Sequence, residues 1–234
     1  GMMILSEKLN RAQRAGSVCS RLSVRKGTKT MKKTDRNLHN GCFVAGQVVN
    51  LEELSEPGEA EDYLLILESV LGGGKKVQVP CVVNKADLDT CSGTVREGDW
   101  VSVFGIVTGG YSEREDLGCV WIETITLKRG TRRSGKKDTN EAVLTGISIE
   151  GGCLIDRGEP VSADFVLEVE SLLGEETFEV DAVVPKKAVR DYINTLGCRK
   201  LRVLGAMEFY PSEDDTTVGM LLHVKKIVGE EAEA

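Results

Sequence analysis

Histidine is almost missing from this 234-residue sequence, with only His39 and His223 present, and acid–base chemistry around a nucleophile most often recruits that side chain. Aromatic residues are scarce at 5%: two Trp, five Phe and four Tyr. No apolar run approaches the ~18 residues that a membrane span needs, so the chain reads as soluble. There is no C-x-x-C pair; Cys19, Cys42, Cys81, Cys91, Cys119, Cys153 and Cys198 are odd in number and widely scattered. They read as reduced small hydrophobes in a cytoplasm, with no zinc site. The GGGKK run at 72–76 lacks both the spacing of a phosphate loop and a following helix. The carboxylate groups Glu52-Glu53, Glu113/Glu115/Asp116 and Glu213/Asp214/Asp215 have no metal-ligand spacing. These absences together predict a non-enzymatic protein with no cofactor.

Charge is present but uneven. Residues 1–39 hold Lys8, Arg11, Arg14, Arg21, Arg25, Lys26, Lys29, Lys32, Lys33 and Arg36 against Glu7 and Asp35, a balance of +8; since the whole chain is −7, the remainder is −15. A basic arm on an acidic body suits a polyanion partner, and a solvated tail would carry the same charges. Gly1-Met2 reads as an expression-tag remnant, and Met2 to Leu5 is too brief for a signal peptide. Ser6 is placed to cap a short helix over 7–15, ended by Gly16.

The strongest signal is an internal repeat of about one hundred residues. NGCFVAG at 40–46 matches NEAVLTG at 140–146 and DYLLILESVLG at 62–72 matches DFVLEVESLLG at 164–174; VPCVVNK at 79–85 matches VDAVVPK at 180–186 and VSVFG at 101–105 matches LRVLG at 201–205. The offset runs 100, 102, 101, 100, a drift that small loop insertions explain. KRGTRRSGKKDT at 128–139 has a linker's composition. The predicted organisation is a basic arm (1–39), a first domain (40–130), a basic linker (131–139), a second domain (140–229) and a short acidic tail (230–234).

In the first copy, strands are predicted near 42–50, 62–71, 75–84, 98–108 and 118–128, with Gly72-Gly73-Gly74 as a hairpin turn and a helical turn or two over 85–91. In the second, 185–193 opens like a helix with Pro185 near its start. Five strands with a helix between the third and fourth is the order of an OB barrel. The expected fold is therefore all-β: two tandem five-stranded OB-fold barrels, each with that short helix.

Three segments resemble the bacterial single-stranded-DNA-binding protein family. NGCFVAGQV resembles the family's first-strand N-x-V-x-x-G-x-V, VQVPCVVNKADL its third strand and helix start, and REGDWVSVFGIV its fourth strand; TGISIEG, VDAVVPKKAV and RKLRVLGAM keep the pattern more loosely in the second copy. The resemblance implies sequence-tolerant binding of single-stranded DNA in replication, recombination or mobile-element transfer, and assembly of four barrels, which a homodimer of this chain would supply. The chain departs from the family in its low aromatic content, and its GEEAEA end lacks the apolar terminal residues of the family's acidic tail.

Base stacking needs exposed aromatic faces. Trp100 and Phe104 alternate with Val101 and Val103 in the fourth strand, and serve either as stacking platforms or as a seal on a rim or interface. Trp121 in the fifth strand is expected on an exposed face, and Tyr111 in the loop 108–118, which grips ligand in many OB barrels. At the positions of Trp100 and Ser102 the second copy has Lys200 and Arg202, which offer charge in place of stacking. Further phosphate candidates are Lys75, Lys76, Arg96, Lys128, Arg129, Lys186, Lys187 and Arg190, with Lys225 and Lys226; each is equally at home as a solvated surface charge. His223, between Leu222 and Val224, reads as structural. Tyr63-Leu64-Leu65-Ile66-Leu67 is apolar on both faces, so a neighbour is expected over its outer side. The partner expected is single-stranded DNA, with RNA a variant and no membrane; a protein-interaction scaffold built from the same barrels is the alternative.

Overall fold

The structure is a computed structural model and describes residues 40–54, 61–91, 94–112, 117–130, 138–172, 176–211 and 218–230. The basic arm, with the helix expected over 7–15, most of the linker, the loop 113–116 and the end of the acidic tail lie outside the described residues. No helix among the described residues is long and apolar enough to cross a membrane.

The elements run β1 (Gly41–Glu53), β2 (Asp62–Val70), β3 (Lys76–Asn84), α1 (Lys85–Thr90), β4 (Trp100–Ser112), β5 (Leu117–Gly130), β6 (Asn140–Asp156), β7 (Glu159–Glu170), β8 (Thr177–Pro185), α2 (Val189–Asn194), β9 (Lys200–Pro211) and β10 (Val218–Glu230). The protein is nearly all β, as expected. In the first half β1 pairs β2, β2 pairs β3, β3 pairs β5 in parallel, β5 pairs β4, and β4 returns to β1. β6 to β10 repeat those pairings one for one, including the parallel β8–β10 contact. Bulges recur at equivalent places: Val48/Asn50 and Ser148/Glu150, and again opposite Gly105 and at Val224/Lys226. Each bulge bends its strand, as closing a five-stranded ring requires.

The pairings correct one alignment. Gln47 lies opposite Glu68 and Ile147 opposite Glu168, so β2 and β7 are related by 100 residues and not by 102. The sequence match was slipped by two residues, and a slip of two leaves every side chain on its own face of the strand. Pro185 is also relocated: it ends β8, three residues ahead of Ala188, the N-cap of α2. The strands flanking the loop expected over 108–118 run on to Ser112 and resume at Leu117.

Alternation decides what faces inward. Leu65, Leu67, Val101, Val103 and Ile122 are fully buried, and so are their counterparts Leu167, Leu201, Val203 and Leu222, with Phe165 nearly so. Each such side chain contributes roughly 1.5–3 kcal/mol of burial. Gly46 and Gly146 mark where β1 and β6 cross closest to β2 and β7; a Cβ at either would overlap the backbone carbonyl of Glu68 or Glu168. That contact is the physical reason for glycine in the first-strand motif. In the second half the β6–β7 hairpin closes on Arg157-Gly158, both at positive φ, a two-residue turn that matches strand twist.

The halves join through their first strands. Cys42 pairs with Ala142, Phe43 with Glu141 and Val44 with Asn140, and since Cys42 and Ala142 are equivalent positions, an approximate two-fold axis passes by that pair at one end of the ladder. Burial there pushes the Cys42 thiol up to about 12. Reciprocal contacts of β3 with β9 and β4 with β8, and of β5 with β10 on the axis, extend the junction. Thr108 and Ser171 hydroxyls lie 3.1 Å apart across it.

Candidate nucleic-acid interface

Because β1 and β6 are adjacent, β5, β4, β1, β6, β9 and β10 form one continuous six-stranded surface across both halves. On its outward side in the first half stand Trp100, Ser102 and Phe104, all half-buried between inward Val101 and Val103, as their alternation requires. Phe104 pairs across to Phe43, which is 42% exposed. Cross-strand partners hold their Cβ atoms roughly 4.5–5.5 Å apart, so the two rings are neighbours. Trp100 is four residues along the same strand, roughly 13 Å away, and its indole lies beside Gly130 on β5. Lys128, opposite Ser102, is exposed at the border of this group.

Phe43 is the member that sequence reasoning missed. Its signal was the alternation of Cys42 and Val44, both buried, around it, inside a segment treated only as a family motif.

In the second half the same surface is cationic. Lys200 and Arg202 are exposed on β9, with Lys226 and Val228 opposite Leu204 and Arg202 on β10. Lys200 sits 3.8 Å from Glu170 and Arg202 3.5 Å from Glu230, distances typical of loose surface pairs.

Other candidates are placed elsewhere. Trp121 occupies the outward side of β5, yet is only 1% exposed, and its indole N–H has no hydrogen-bond partner among the described residues. The exposure expected for it is not found, and a base cannot stack on it where it stands. Tyr111 lies in β4 opposite Gly118, with its side chain outside what the structure describes. Lys75 bonds to Glu208 across the junction and Lys76 to Glu68 at 2.7 Å. Arg129 reaches Asp99 at 2.7 Å, and Asp99 also accepts the backbone N–H of Arg96 at 2.9 Å. That N–H bond and the Arg129 guanidinium hold the Asp99 carboxyl below its usual range. Lys186, Lys187 and Arg190 are exposed about α2 and form no ion pair among the described residues.

Burial raises the affinity of Glu208 for a proton, but the hydrogen bonds from Lys75 and from His223, whose Nε2 lies 2.8 Å away, outweigh it and lower its pKa. His223 is therefore part of a link between the halves, in keeping with the structural role read for it.

The fold belongs to the class seen in single-stranded-DNA-binding proteins, and the likeness lies in structure. The single-stranded DNA binding protein from Thermus aquaticus matches in a deletion-mutant structure with a TM-score of 0.61 and 11% identity, covering 83% of this chain and 96% of that one. The wild-type protein from the same organism matches with a TM-score of 0.57 and 13% identity, covering 83% and 94%. No protein-family model and no curated protein matches the chain by sequence.

Proposed function

We propose that the chain is a tandem pair of OB-fold barrels that binds single-stranded DNA with little sequence preference along its shared six-stranded surface. The observation that carries this reading is the division of that surface into an aromatic part (Phe43, Trp100, Phe104) and a cationic part (Lys200, Arg202, Lys226), within a fold shared with the Thermus aquaticus protein. Bases stack on the aromatic part, each stack contributing about 1–3 kcal/mol whatever the base, because every base presents a π-face. Phosphates pass to the cationic part, where each neutralised charge adds about −0.7 to the slope of log K against log salt. Lys128 and the positive arm at 1–39 add to the same field, and Lys186, Lys187 and Arg190 form a second cationic group on the second half. Replication, recombination and mobile-element transfer are the settings in which such binding serves.

Fluorescence-anisotropy titration against oligo-dT, duplex DNA and single-stranded RNA at two salt concentrations tests the reading. Oligo-dT should bind more tightly than duplex, with a measurable salt slope. No binding of oligo-dT at low salt would abandon it in favour of a protein-interaction scaffold, which the paired cations Lys75, Lys76 and Arg129 favour. Homodimerisation into four barrels is part of the proposal. Sedimentation of the Phe43→Ala, Trp100→Ala, Phe104→Ala triple variant checks that the dimer does not use these residues; a dimer that disappears with them reassigns the aromatic group to an interface between copies.

A further inference from the structure

One row of paired residues crosses the surface that the two halves share. Thr126, Phe104 and Phe43 lead across β5, β4 and β1 to Glu141 on β6. One residue on from the Ala142–Gly205 pair the row meets Ala206 on β9, and Ala206 pairs with His223 on β10. Glu141 stands outward because Asn140 and Ala142 on either side of it are buried. A nucleic-acid strand leaving the phenylalanine rings for the second half therefore meets a carboxylate first, where its phosphates require a cation.

That carboxylate is already engaged. Lys225 Nζ donates to Glu141 Oε1 at 2.6 Å, with 43% of the lysine side chain and 47% of the glutamate exposed. Lys225 is the extra residue of the β10 bulge between Val224 and Lys226, and it reaches over β9 where that strand carries only Gly205 and Ala206. The fold does not demand this pair. Its equivalents in the first half are Gly41 and Ile125, Ile125 being the extra residue of the matching bulge, so the same strands and the same bulge are built there with no charge at either place. Nor does stability demand it, since an ion pair this exposed contributes little.

Space adjoins the pair. Glu141, Ala206 and Lys225 line an open cleft whose facing wall is the Gly72-Gly73-Gly74 turn of the first half. A Cβ at any of those three glycines would meet nothing within 4 Å. Asp138 also lines the cleft, so among the described residues Lys225 is its one cation against two carboxylates.

We propose that Glu141 is an internal competitor of the nucleic-acid backbone: it occupies Lys225 in the free protein, and a phosphate of bound single-stranded DNA displaces it in this cleft. The inference rests on the DNA-binding reading and adds to it the residue that tunes affinity where the strand crosses between the halves. Lys225 and Glu141 together carry no net charge, so the strand's counterions are not released there, and the contact adds nothing to the salt slope while Glu141 is present.

Oligo-dT binding is measured by anisotropy over a salt series for the wild type, Glu141→Gln and Lys225→Ala. Glu179→Gln, exposed on β8 outside the six-stranded surface, is the control of equal charge change. Glu141→Gln should tighten binding several-fold at low salt and steepen the slope by about 0.7, one further phosphate neutralised. Lys225→Ala should weaken binding several-fold, and Glu179→Gln should match the wild type; far-ultraviolet spectra identical to wild type verify that each variant is folded. If the wild type binds and Glu141→Gln leaves affinity and slope unchanged, or Lys225→Ala binds as the wild type does, this inference alone is overturned. An equal gain from Glu179→Gln overturns it too, by assigning the effect to net charge. A wild type that fails to bind at low salt overturns the DNA-binding reading and this inference with it.

Discussion

The two halves keep apolar residues at the matched positions that face inward, and at many positions that face out they differ in kind. Leu67 and Leu167, Val103 and Val203, Ile122 and Leu222 occupy matched buried positions. On the outside Trp100 faces Lys200 as its equivalent, Ser102 faces Arg202, Lys128 faces Val228, Leu64 faces Asp164 and Pro80 faces Asp181. Close packing constrains an interior position to nearly one volume, whereas an outward position answers only to what lies against it. The divergence of the halves is accordingly a map of their surroundings: aromatic and sealed in the first, charged and open in the second.

The comparison can be broken at its widest point. Ile66→Asp places a charge where exposure is nil and should cost about 4 kcal/mol or more, while Val166→Asp at the matched, half-buried position should cost under about 1 kcal/mol. Urea denaturation measures both; equal losses would mean that the outward faces are alike after all. Gly46→Ala and Gly146→Ala should act in concert, each destabilising by about 1–3 kcal/mol because the added methyl meets a strand backbone that cannot yield. A large difference between them would show that the two rings close differently.

Binding sharpens the contrast. Trp100→Ala with Phe104→Ala should weaken oligo-dT binding by about 1–3 kcal/mol for each stack removed, with little change in salt slope. Lys200→Ala with Arg202→Ala should flatten the slope by about 0.7 for each phosphate no longer neutralised. Anisotropy titrations over a salt series check both, and identical signatures would erase the division of labour. The smallest effect concerns the junction. Glu208 has a folded pKa below its unfolded value, so its contribution is present above the unfolded pKa and is lost as pH falls through the folded one. Glu208→Gln should remove about 0.5–1 kcal/mol near neutrality, given how exposed Lys75 and His223 are, and nothing at the acid end. Thermal unfolding as a function of pH follows this, and a loss that persists in acid would assign the effect to packing.

The strand order, both short helices and the inward residues were legible because alternation and turn chemistry are local. Trp121 was misjudged for a physical reason. Alternation correctly placed it on the outward side of β5, but which side of a strand a residue takes does not decide its burial, and Trp121 is buried there. Leu64 and Ile66 carried that information openly, since two apolar faces on one strand require two covers. The six-stranded surface was invisible in the sequence: nothing in NGCFVAG or NEAVLTG states that the two strands pair with each other. Phe43 was readable but overlooked, its alternation eclipsed by a motif.

The ladder of β1 with β6, in which the equivalent residues Cys42 and Ala142 pair with each other, has a consequence for how such a molecule can change. Between two separate identical chains, a two-fold ladder makes every substitution appear on both sides at once, so a residue good for one role and bad for another is tested in both together. Tethering the partners in one polypeptide fixes their stoichiometry and keeps each at a high effective concentration near the other. Symmetry then persists as a packing solution without being enforced as a rule of inheritance, and one side can acquire tryptophan where the other acquires lysine.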